Sequence, residues 1–171
     1  MSTGSIVLAN LIVGRDGSTT RGGSSTGLSS PEDRKRFHAL RARASCILIG
    51  GQTARTEPYY STPVPLYVMT HGELPDAVAA NPLARVINAN IIGALSAITA
   101  TEDGRRILIE SGPAPLHIAL HLKKVDELYI TIANNLDGEN RIEVRTLTKG
   151  YEVVERVDIG EDTFLKLIPK K

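Results

Sequence analysis

Cysteine is nearly absent from this sequence, since Cys46 is the only cysteine among 171 residues. A single thiol excludes an internal disulfide and a zinc site built from several cysteines. The stability of the fold must therefore come from the burial of apolar side chains. Chains without disulfides are typical of reducing compartments, and we expect a cytoplasmic protein.

Long apolar runs and an excess of charge of either sign are also lacking. No apolar run approaches the ~20 residues that a helix needs to cross a bilayer. Twenty Lys and Arg side chains stand against nineteen Asp and Glu, which leaves a formal net charge of +1. A general nucleic-acid binder would carry a strongly basic surface. We therefore expect neither a membrane nor a nucleic acid as a partner.

The composition is otherwise that of a folded globular protein. Hydrophobic residues make up 42% of the chain and charged residues 23%, which argues against disorder and fibrous repeats. A chain of 171 residues is long enough to bury a sizeable core. We expect residues 1–171 to form a single domain.

An apolar run and a polar loop open the chain. Residues 5–14 are mostly β-forming, Asn10 interrupts them and no basic segment precedes them, which indicates a buried strand rather than a signal peptide. Thirteen of the seventeen residues from Gly14 to Ser30 are Gly, Ser or Thr. A long loop of this kind inside a compact domain is more often a binding loop than a linker.

The residues after this loop predict a helix. Ser30 is placed to cap its N-terminus, Pro31 suits its first turn and Asp33 is acidic at its third position. The buried stripe of this helix would be Phe37, Leu40 and Ala44. We interpret its basic face as a solvated surface rather than a phosphate site, with Arg34, Lys35, Arg36 and Arg43 balanced by Glu32 and Asp33.

Strand-like and helical stretches then alternate, a pattern typical of parallel strands joined by crossover helices. The predicted strands are Cys46–Gly50, Leu66–Thr70, Arg85–Asn88 and Arg106–Glu110, and the predicted helices lie near 74–81, 92–101 and 115–123. After Val125 the pattern predicts an antiparallel C-terminal third. Its strands would be Asp126–Ala133, Arg141–Thr148, Tyr151–Asp158 and Asp162–Ile168, with turns at Asp137-Gly138 and Lys149-Gly150.

Two short motifs are weak evidence for a function. Residues 23–27 match the G-x-S-x-G pattern of serine hydrolases, but that chemistry requires a strand directly before the turn, and a Gly/Ser loop precedes it here. His117 and His121 stand four residues apart on a predicted helix, with Ile118 where a metalloprotease has its glutamate. No third ligand is evident, so we interpret them as surface histidines and expect no metal.

Two strand-to-turn junctions are more informative. Residues 47–53 run from a buried strand into two glycines and Thr53, and residues 107–116 run from a second strand into Gly112 and a helix. Such turns let backbone amides approach a ligand, and ligands bind at this edge of open α/β sheets. Spacing alone supports an anion or nucleotide site, and a pair of ordinary tight turns remains the alternative.

Five segments in order give the chain a resemblance to a known family. They are Asp16-Gly17, Ser29–Asp33, His38–Ala42, Gly50–Glu57 and Glu110–Pro113. Together they resemble the pyrimidine reductases of riboflavin biosynthesis, the reductase domain that many bacteria fuse to a deaminase. The resemblance runs from residue 5 to about residue 135.

This resemblance implies a fold and an activity. The fold would be α/β and dihydrofolate-reductase-like, with a mostly parallel central sheet, helices on both faces and antiparallel C-terminal strands. The protein would be a homodimer that binds NADPH and reduces the ribosyl side chain of a phosphorylated aminopyrimidine, a small-molecule substrate, to ribityl. The deaminase half would be absent, because its zinc signature of H-x-E and P-C-x-x-C is not in the sequence.

The resemblance also assigns site residues. Ser25, Arg41 and Glu110 would face the substrate, with Asp16 nearby. Glu110 and Asp16 are the catalytic candidates, and Glu110 would donate a proton or anchor the substrate. Thr70, with His71, is the candidate for the 2′-phosphate of NADPH. The cofactor contacts would be Gly27, Thr53, Glu57, Thr70, Gly112, Pro113, Ala114, Pro115 and Leu116, in a segment that reaches Ile118.

The sequence departs from the family pattern at four places. Ser111 stands where a glycine is usual, Gly27 or Leu28 where an aromatic residue is frequent, an arginine beyond Glu57 is missing, and the stretch from Thr70 to Arg106 is short. Two alternatives therefore stay open. One is a reductase of the same fold that acts on another small molecule, and the other is a non-catalytic nucleotide-binding module.

Overall fold

The computed structural model describes residues 4–101 and 104–171. The strands are β1 (Ile6–Gly14), β2 (Ser18–Thr20), β3 (Cys46–Gly50), β4 (Leu66–Met69), β5 (Ala84–Ile87), β6 (Arg106–Ile109), β7 (Glu127–Ala133), β8 (Glu139–Arg141), β9 (Tyr151–Ile159) and β10 (Asp162–Pro169). The helices are α1 (Pro31–Arg43), α2 (Gly51–Thr56), α3 (Asp76–Ala79), α4 (Ile91–Thr99), α5 (Pro113–His121) and α6 (Val144–Leu147). A 3-10 turn covers Ser25–Leu28.

Eight strands form one sheet in the order β5-β4-β3-β6-β1-β7-β10-β9. Neighbouring strands from β5 to β7 run parallel, and β10 runs antiparallel to both β7 and β9. The predicted α/β class with a mostly parallel sheet is therefore confirmed. The prediction that the whole C-terminal third is antiparallel is wrong at β7, because one edge of this strand pairs parallel with β1.

The central strands are buried on both faces, as all five residues of β3 show. On one face, Leu48, Ile107 and Ile109 pack in the cluster that contains the apolar side chains of α4 and α5. On the other face, Leu108 packs with Leu40 of α1. Helices thus cover both faces, which is why these strands are continuous apolar runs in the sequence.

The start of α1 agrees with the sequence. The Ser30 hydroxyl accepts a 3.0 Å hydrogen bond from the Asp33 N–H, and Pro31 lies in the first turn. Leu40 and Ala44 are buried as predicted, whereas Phe37 is only half-buried. The predicted N-cap and buried stripe therefore set the position of α1 against the sheet.

Arg36 contradicts the interpretation of the basic face of α1 as wholly solvated. Its guanidinium donates hydrogen bonds of 3.0 and 2.6 Å to the carbonyls of Ile130 and Leu165. It also stacks over the rings of Tyr129 and Phe164. Burial lowers the pKa of Arg36. The helical pattern could not show this, because the partners come from β7 and β10, far along the chain.

The Gly/Ser-rich loop is more ordered than its composition predicts. β2 pairs with β8, and Ser24 caps the 3-10 turn by accepting a 3.1 Å hydrogen bond from the Thr26 N–H. Glycine is required at position 27, because a Cβ there would lie 2.2 Å from the carbonyl oxygen of Arg21. Hydrogen bonds, close backbone contacts and the fully buried side chain of Leu28 hold this loop.

The strand predicted over Arg141–Thr148 is wrong. Only Arg141 belongs to β8, and Val144–Leu147 form the one-turn helix α6. The alternating pattern also places Val144 and Leu147 three residues apart, on one side of a helical turn, and both contact the main core. The turn predicted at Asp137-Gly138 is wrong too, since the turn after β7 lies at residues 134–135. The turn at Lys149-Gly150 is confirmed.

The other predicted elements differ from the structure mainly at their ends. β3 has the predicted bounds, β4 and β6 each end one residue early, and β5 is shifted by one residue. α3 covers only the middle of the predicted 74–81 segment, while α4 and α5 begin slightly earlier than predicted. In the two described stretches of the chain, no helix has both the length and the apolar character needed to cross a membrane.

Candidate active site

The carboxyl ends of three strands lie next to each other. β4, β3 and β6 are parallel neighbours, so the turns that follow them lie side by side. The Gly112 N–H donates a 3.1 Å hydrogen bond to the Thr53 hydroxyl in α2. A Cβ on Gly51 would lie 3.3 Å from the hydroxyl oxygen of Thr70. The two glycine turns and Thr70 thus form one surface at the carboxyl end of the sheet.

The turn between β6 and α5 offers few free amides. Gly112 donates its N–H to Thr53, and Pro113 and Pro115 have no N–H. Within residues 112–115, only Ala114 has an N–H without a hydrogen bond to the chain. An anion at this end of α5 would therefore meet the Ala114 amide and the positive end of the helix dipole.

A cationic side chain lies beside Thr70. Nη1 of Arg55 and Oγ1 of Thr70 each lie 3.3 Å from the position that a Gly51 Cβ would take. Arg55 is exposed, and its Nη2 donates a 3.1 Å hydrogen bond to the Gln52 side chain. Glycine at position 51 leaves room for a hydroxyl and a guanidinium beside the same turn. Both groups are suitable donors to a phosphate.

A buried cluster lies where β6 ends. The Glu110 side chain is 3% exposed and the Arg41 side chain is 14% exposed. Nε and Nη2 of Arg41 donate hydrogen bonds of 2.9 and 2.7 Å to Oε1 and Oε2 of Glu110. The Tyr59 hydroxyl donates a 2.6 Å hydrogen bond to Oε2. We call these three residues the Arg41–Glu110–Tyr59 cluster.

The cluster contains a charged pair and a neutral phenol. Burial alone would lower the pKa of Arg41, but the Glu110 carboxylate raises it above its ordinary value. Burial raises the pKa of Tyr59 well above its ordinary value, and the adjacent carboxylate raises it further. The Arg41 guanidinium also lies 4.2 Å from the ring centroid of Phe37 and 5.3 Å from that of Tyr59. Two rings and a carboxylate therefore hold Arg41 in place.

Glu57 ties the Gly/Ser-rich loop to the end of α2. Its carboxylate accepts hydrogen bonds from the Ser24 hydroxyl at 2.8 Å and from the Ser25 N–H and hydroxyl at 2.8 and 2.9 Å. A longer contact of 3.4 Å joins it to the Thr26 hydroxyl. One carboxylate thus positions the loop segment that holds Ser25, a predicted substrate contact, next to α2.

A family model decides the family of this chain. The model of the RibD C-terminal domain matches residues 5–165. The chain belongs to the RibD C-terminal domain family. The resemblance to the pyrimidine reductases of riboflavin biosynthesis, predicted from five segments of the sequence, is confirmed.

Solved structures of RibD-type proteins share the fold. A pyrimidine reductase-like protein from Corynebacterium diphtheriae has a TM-score of 0.73 at 19% identity, over 97% of this chain and 92% of that one. RibD from Acinetobacter baumannii has a TM-score of 0.76 at 16% identity, over 99% of this chain and 59% of that one. The Thermotoga maritima diaminohydroxyphosphoribosylaminopyrimidine deaminase/5-amino-6-(5-phosphoribosylamino)uracil reductase has a TM-score of 0.72 at 12% identity, over 96% and 56%. This chain therefore spans little more than half of the last two proteins. No curated protein matches the sequence.

Asp16 lies apart from the cluster of this RibD-family chain. Its carboxylate accepts hydrogen bonds from the Arg141 guanidinium and, at 3.2 Å, from the Ser18 N–H. The Ser18 and Arg141 hydrogen bonds hold the pKa of Asp16 well below its usual range. The register of the sheet pairs Ala9 of β1 with Ile109 of β6, so Glu110 follows a point in the middle of β1, whereas Asp16 lies two residues beyond the end of that strand. The structure therefore does not bring the two predicted catalytic carboxylates into contact.

The other predicted residues fall into two groups. Thr53, Thr70 and the residues Gly112, Pro113, Ala114, Pro115 and Leu116 lie at the turns that follow β3, β4 and β6, although Leu116 is fully buried. Gly27 and Glu57 lie on and beside the Gly/Ser-rich loop. His71 contacts Asn88. His117 and His121 are exposed and stacked, with ring centroids 6.4 Å apart.

Sequence analysis missed two residues of this site. Tyr59 follows α2 in a segment without periodicity, so only its place two residues after Glu57 could have drawn attention to it. Arg55 was part of a segment used for the resemblance, but its approach to Gly51 depends on the fold of α2. The roles of Tyr59 and Arg55 in the site depend on contacts between separate elements of the fold.

Proposed function

We propose that this chain is an NADPH-dependent reductase of riboflavin biosynthesis. It would reduce the ribosyl side chain of a phosphorylated aminopyrimidine to ribityl. The observation that carries the proposal is the buried Arg41–Glu110–Tyr59 cluster beside two glycine turns, in a chain of the RibD C-terminal domain family. The reductase names of the proteins from C. diphtheriae and T. maritima support it.

The turns at the sheet edge fit a cofactor with phosphate groups. The Ala114 N–H, the Thr70 hydroxyl and the Arg55 guanidinium would hold these groups. Of the three, Arg55 supplies the positive charge that a 2′-phosphate needs. Thr53 would hold the Gly112 turn in place through its 3.1 Å hydrogen bond. NADPH, when bound, would supply the hydride for the sugar carbon, and the chain would supply position and orientation.

The substrate would meet Arg41 and Glu110 as a unit. Arg41 donates twice to Glu110 and is largely buried, so it is not a free cation for a distant phosphate. The unit lies at the carboxyl end of β6, two residues before Gly112, where the polar groups of a ribosylaminopyrimidine would bind. Ser25, which donates two hydrogen bonds to Glu57, would form the side of the site that faces the Gly/Ser-rich loop.

A homodimer is part of the proposal. β9 forms one edge of the sheet and carries four exposed apolar side chains, Val153, Val154, Val157 and Ile159. Edge strands with exposed apolar groups require cover, and pairing with a second copy provides it.

Thermal unfolding with NADPH, with NADH and without ligand tests the cofactor assignment. A ligand that binds only the native state stabilises it by about 2.7 kcal/mol at a hundred times its dissociation constant. We expect NADPH to raise the unfolding midpoint more than NADH, and the ribosylaminopyrimidine phosphate to be turned over with NADPH. Oxidation of NADPH with a different carbonyl, imine or pterin alone would instead favour a reductase of another small molecule. No shift with either cofactor would favour the non-catalytic module.

A further inference from the structure

Tyr59 occupies one of the few acceptor positions of Glu110. An ionised carboxylate has two oxygens with about four acceptor positions in all. Arg41 donates to one position on each oxygen, and the Tyr59 hydroxyl donates to a second position on Oε2. Among the residues that the structure describes, one acceptor position of Glu110 therefore remains, and it lies on Oε1.

The Tyr59 side chain is itself held firmly. Tyr59 is 7% exposed and packs in a cluster with Ile47 and Ile49 of β3 and with Leu66 and Val68 of β4. Its carbonyl accepts a 3.2 Å hydrogen bond from the buried Asn81 side chain. Tyr60, the next residue, is 63% exposed. The chain thus buries one tyrosine of an adjacent pair and directs its hydroxyl at Glu110.

We propose that Tyr59 is a positioning residue that orients Glu110 so that the remaining acceptor position on Oε1 would take a hydrogen bond from the substrate. The proposal rests on the reductase function proposed above and deepens it. Three N–H and O–H donors already surround the carboxylate, so Glu110 would take a donor group, a hydroxyl of the sugar or an N–H of the pyrimidine. It would not supply the proton. In the described stretches of the chain, the charged and titratable groups that contact Glu110 are Arg41 from α1 and Tyr59 from the segment after α2.

Tyr59→Phe tests the proposal because it keeps the ring and removes the hydroxyl. Two matched controls exist in the chain. Tyr60→Phe changes the exposed neighbour, and Tyr151→Phe removes another buried hydroxyl, which donates a 2.9 Å hydrogen bond to the Val125 carbonyl away from the site. The Tyr151 variant controls for a loss of stability without an effect on Glu110.

The first readout needs no substrate. We expect hydrogen exchange of the Arg41 Nε–H, measured by NMR on the protein without ligands, to become about tenfold faster in Tyr59→Phe, since a hydrogen bond to a charged group is lost. Neither control should change it. An unchanged exchange rate in Tyr59→Phe would overturn the proposal. If this variant does not fold, the unaltered protein decides: a slowly exchanging Tyr59 hydroxyl proton supports the proposal, and a rapidly exchanging one rejects it.

The second readout separates positioning from chemistry. In Tyr59→Phe we expect the KM for the ribosylaminopyrimidine phosphate to rise about tenfold, with kcat within about threefold and the KM for NADPH unchanged. A large fall of kcat at constant KM would overturn the positioning role. If the unaltered protein does not turn over this substrate, the proposed function fails, and the exchange measurement still decides whether Tyr59 holds Glu110.

Discussion

At the scale of single residues, the Arg41–Glu110 pair is the most strongly coupled part of the site. Both side chains are largely buried and joined by two hydrogen bonds. A buried ion pair gains little over an apolar pair, but removal of one partner leaves a buried charge without compensation. The main effect of the pair on stability is therefore that the loss of one partner would leave the other as a buried charge without compensation.

Arg41→Ala should destabilise the fold by about 3–5 kcal/mol, because Glu110 would remain buried with Tyr59 as its only donor. Urea unfolding would measure this change in the free energy of unfolding. Lys35→Ala is the control, since Lys35 forms an exposed pair with Glu32 and such pairs contribute about 0–1 kcal/mol. Similar losses in the two variants would contradict the structural account of the cluster.

Tyr59 should make the folded protein less stable at alkaline pH. Burial first, and Glu110 second, raise its pKa well above the ordinary value of 10.0. The native state therefore keeps a proton that the unfolded state loses, so this contribution is complete below pH 10 and is lost as pH rises towards the native pKa. The unfolding temperature should fall above about pH 10. The fall should be smaller in Tyr59→Phe but still present, because burial also raises the pKa of Tyr151. Equal falls would show that Tyr59 does not contribute.

Arg55 provides a prediction about cofactor choice. Its guanidinium approaches the Gly51 turn beside Thr70, where it could meet a 2′-phosphate. Arg55→Ala should raise the KM for NADPH by about tenfold, the effect of one charge-assisted hydrogen bond, and leave the KM for NADH unchanged. Steady-state kinetics with both cofactors would measure this. Arg34→Ala, on exposed α1 surface, should change neither value, and equal effects of Arg55→Ala on both cofactors would remove Arg55 from phosphate recognition.

At the scale of elements, glycine positions explain how a loop of small polar residues keeps one conformation. A Cβ on Gly27 would lie 2.2 Å from the Arg21 carbonyl oxygen, which is backbone and cannot move without its loop. A Cβ on Gly72 would lie 3.9 Å from the Thr70 hydroxyl, an ordinary contact.

Gly27→Ala should therefore lower the free energy of unfolding by about 1–3 kcal/mol, as overpacking does elsewhere. Gly72→Ala should have almost no effect. Chemical unfolding of both variants would measure the difference. If Gly27→Ala is as stable as the unaltered chain, the loop does not have the close contact that the structure describes.

Elements were predictable where long runs carried the pattern. β3 and α1 follow from a continuous apolar run and from a capped helix start. α6 was not predictable, because an alternating stretch of eight residues fits a strand or a single helical turn equally well. Only packing of Val144 and Leu147 on the core decides between them.

At the scale of the whole molecule, the sheet has two edges, β5 and β9, and both carry exposed valines. The β9 edge is longer and more apolar, with four such side chains against Val86 on β5. The proposed dimer should therefore form at β9.

Val157→Lys combined with Ile159→Lys should convert the dimer to a monomer, because both charges would be buried against the second copy. Sedimentation velocity would measure the change. Val86→Lys, at the opposite edge, is the control and should leave the dimer intact. A monomeric unaltered protein, or a dimer in both variants, would refute the assignment of β9.

The sequence by itself determined the α/β class, the parallel centre of the sheet and the family, because these depend on apolar runs and on short ordered segments. Arg41 and Glu110 were among its candidate residues. The sequence did not show that these two residues, which lie 69 positions apart in the chain, bind each other. Only the tertiary structure decided the partners of Glu110, the separation of Asp16 and the burial of Arg36. The physical reason is that local patterns report which face of an element is apolar, whereas hydrogen bonds between polar side chains depend on how distant elements are placed against each other.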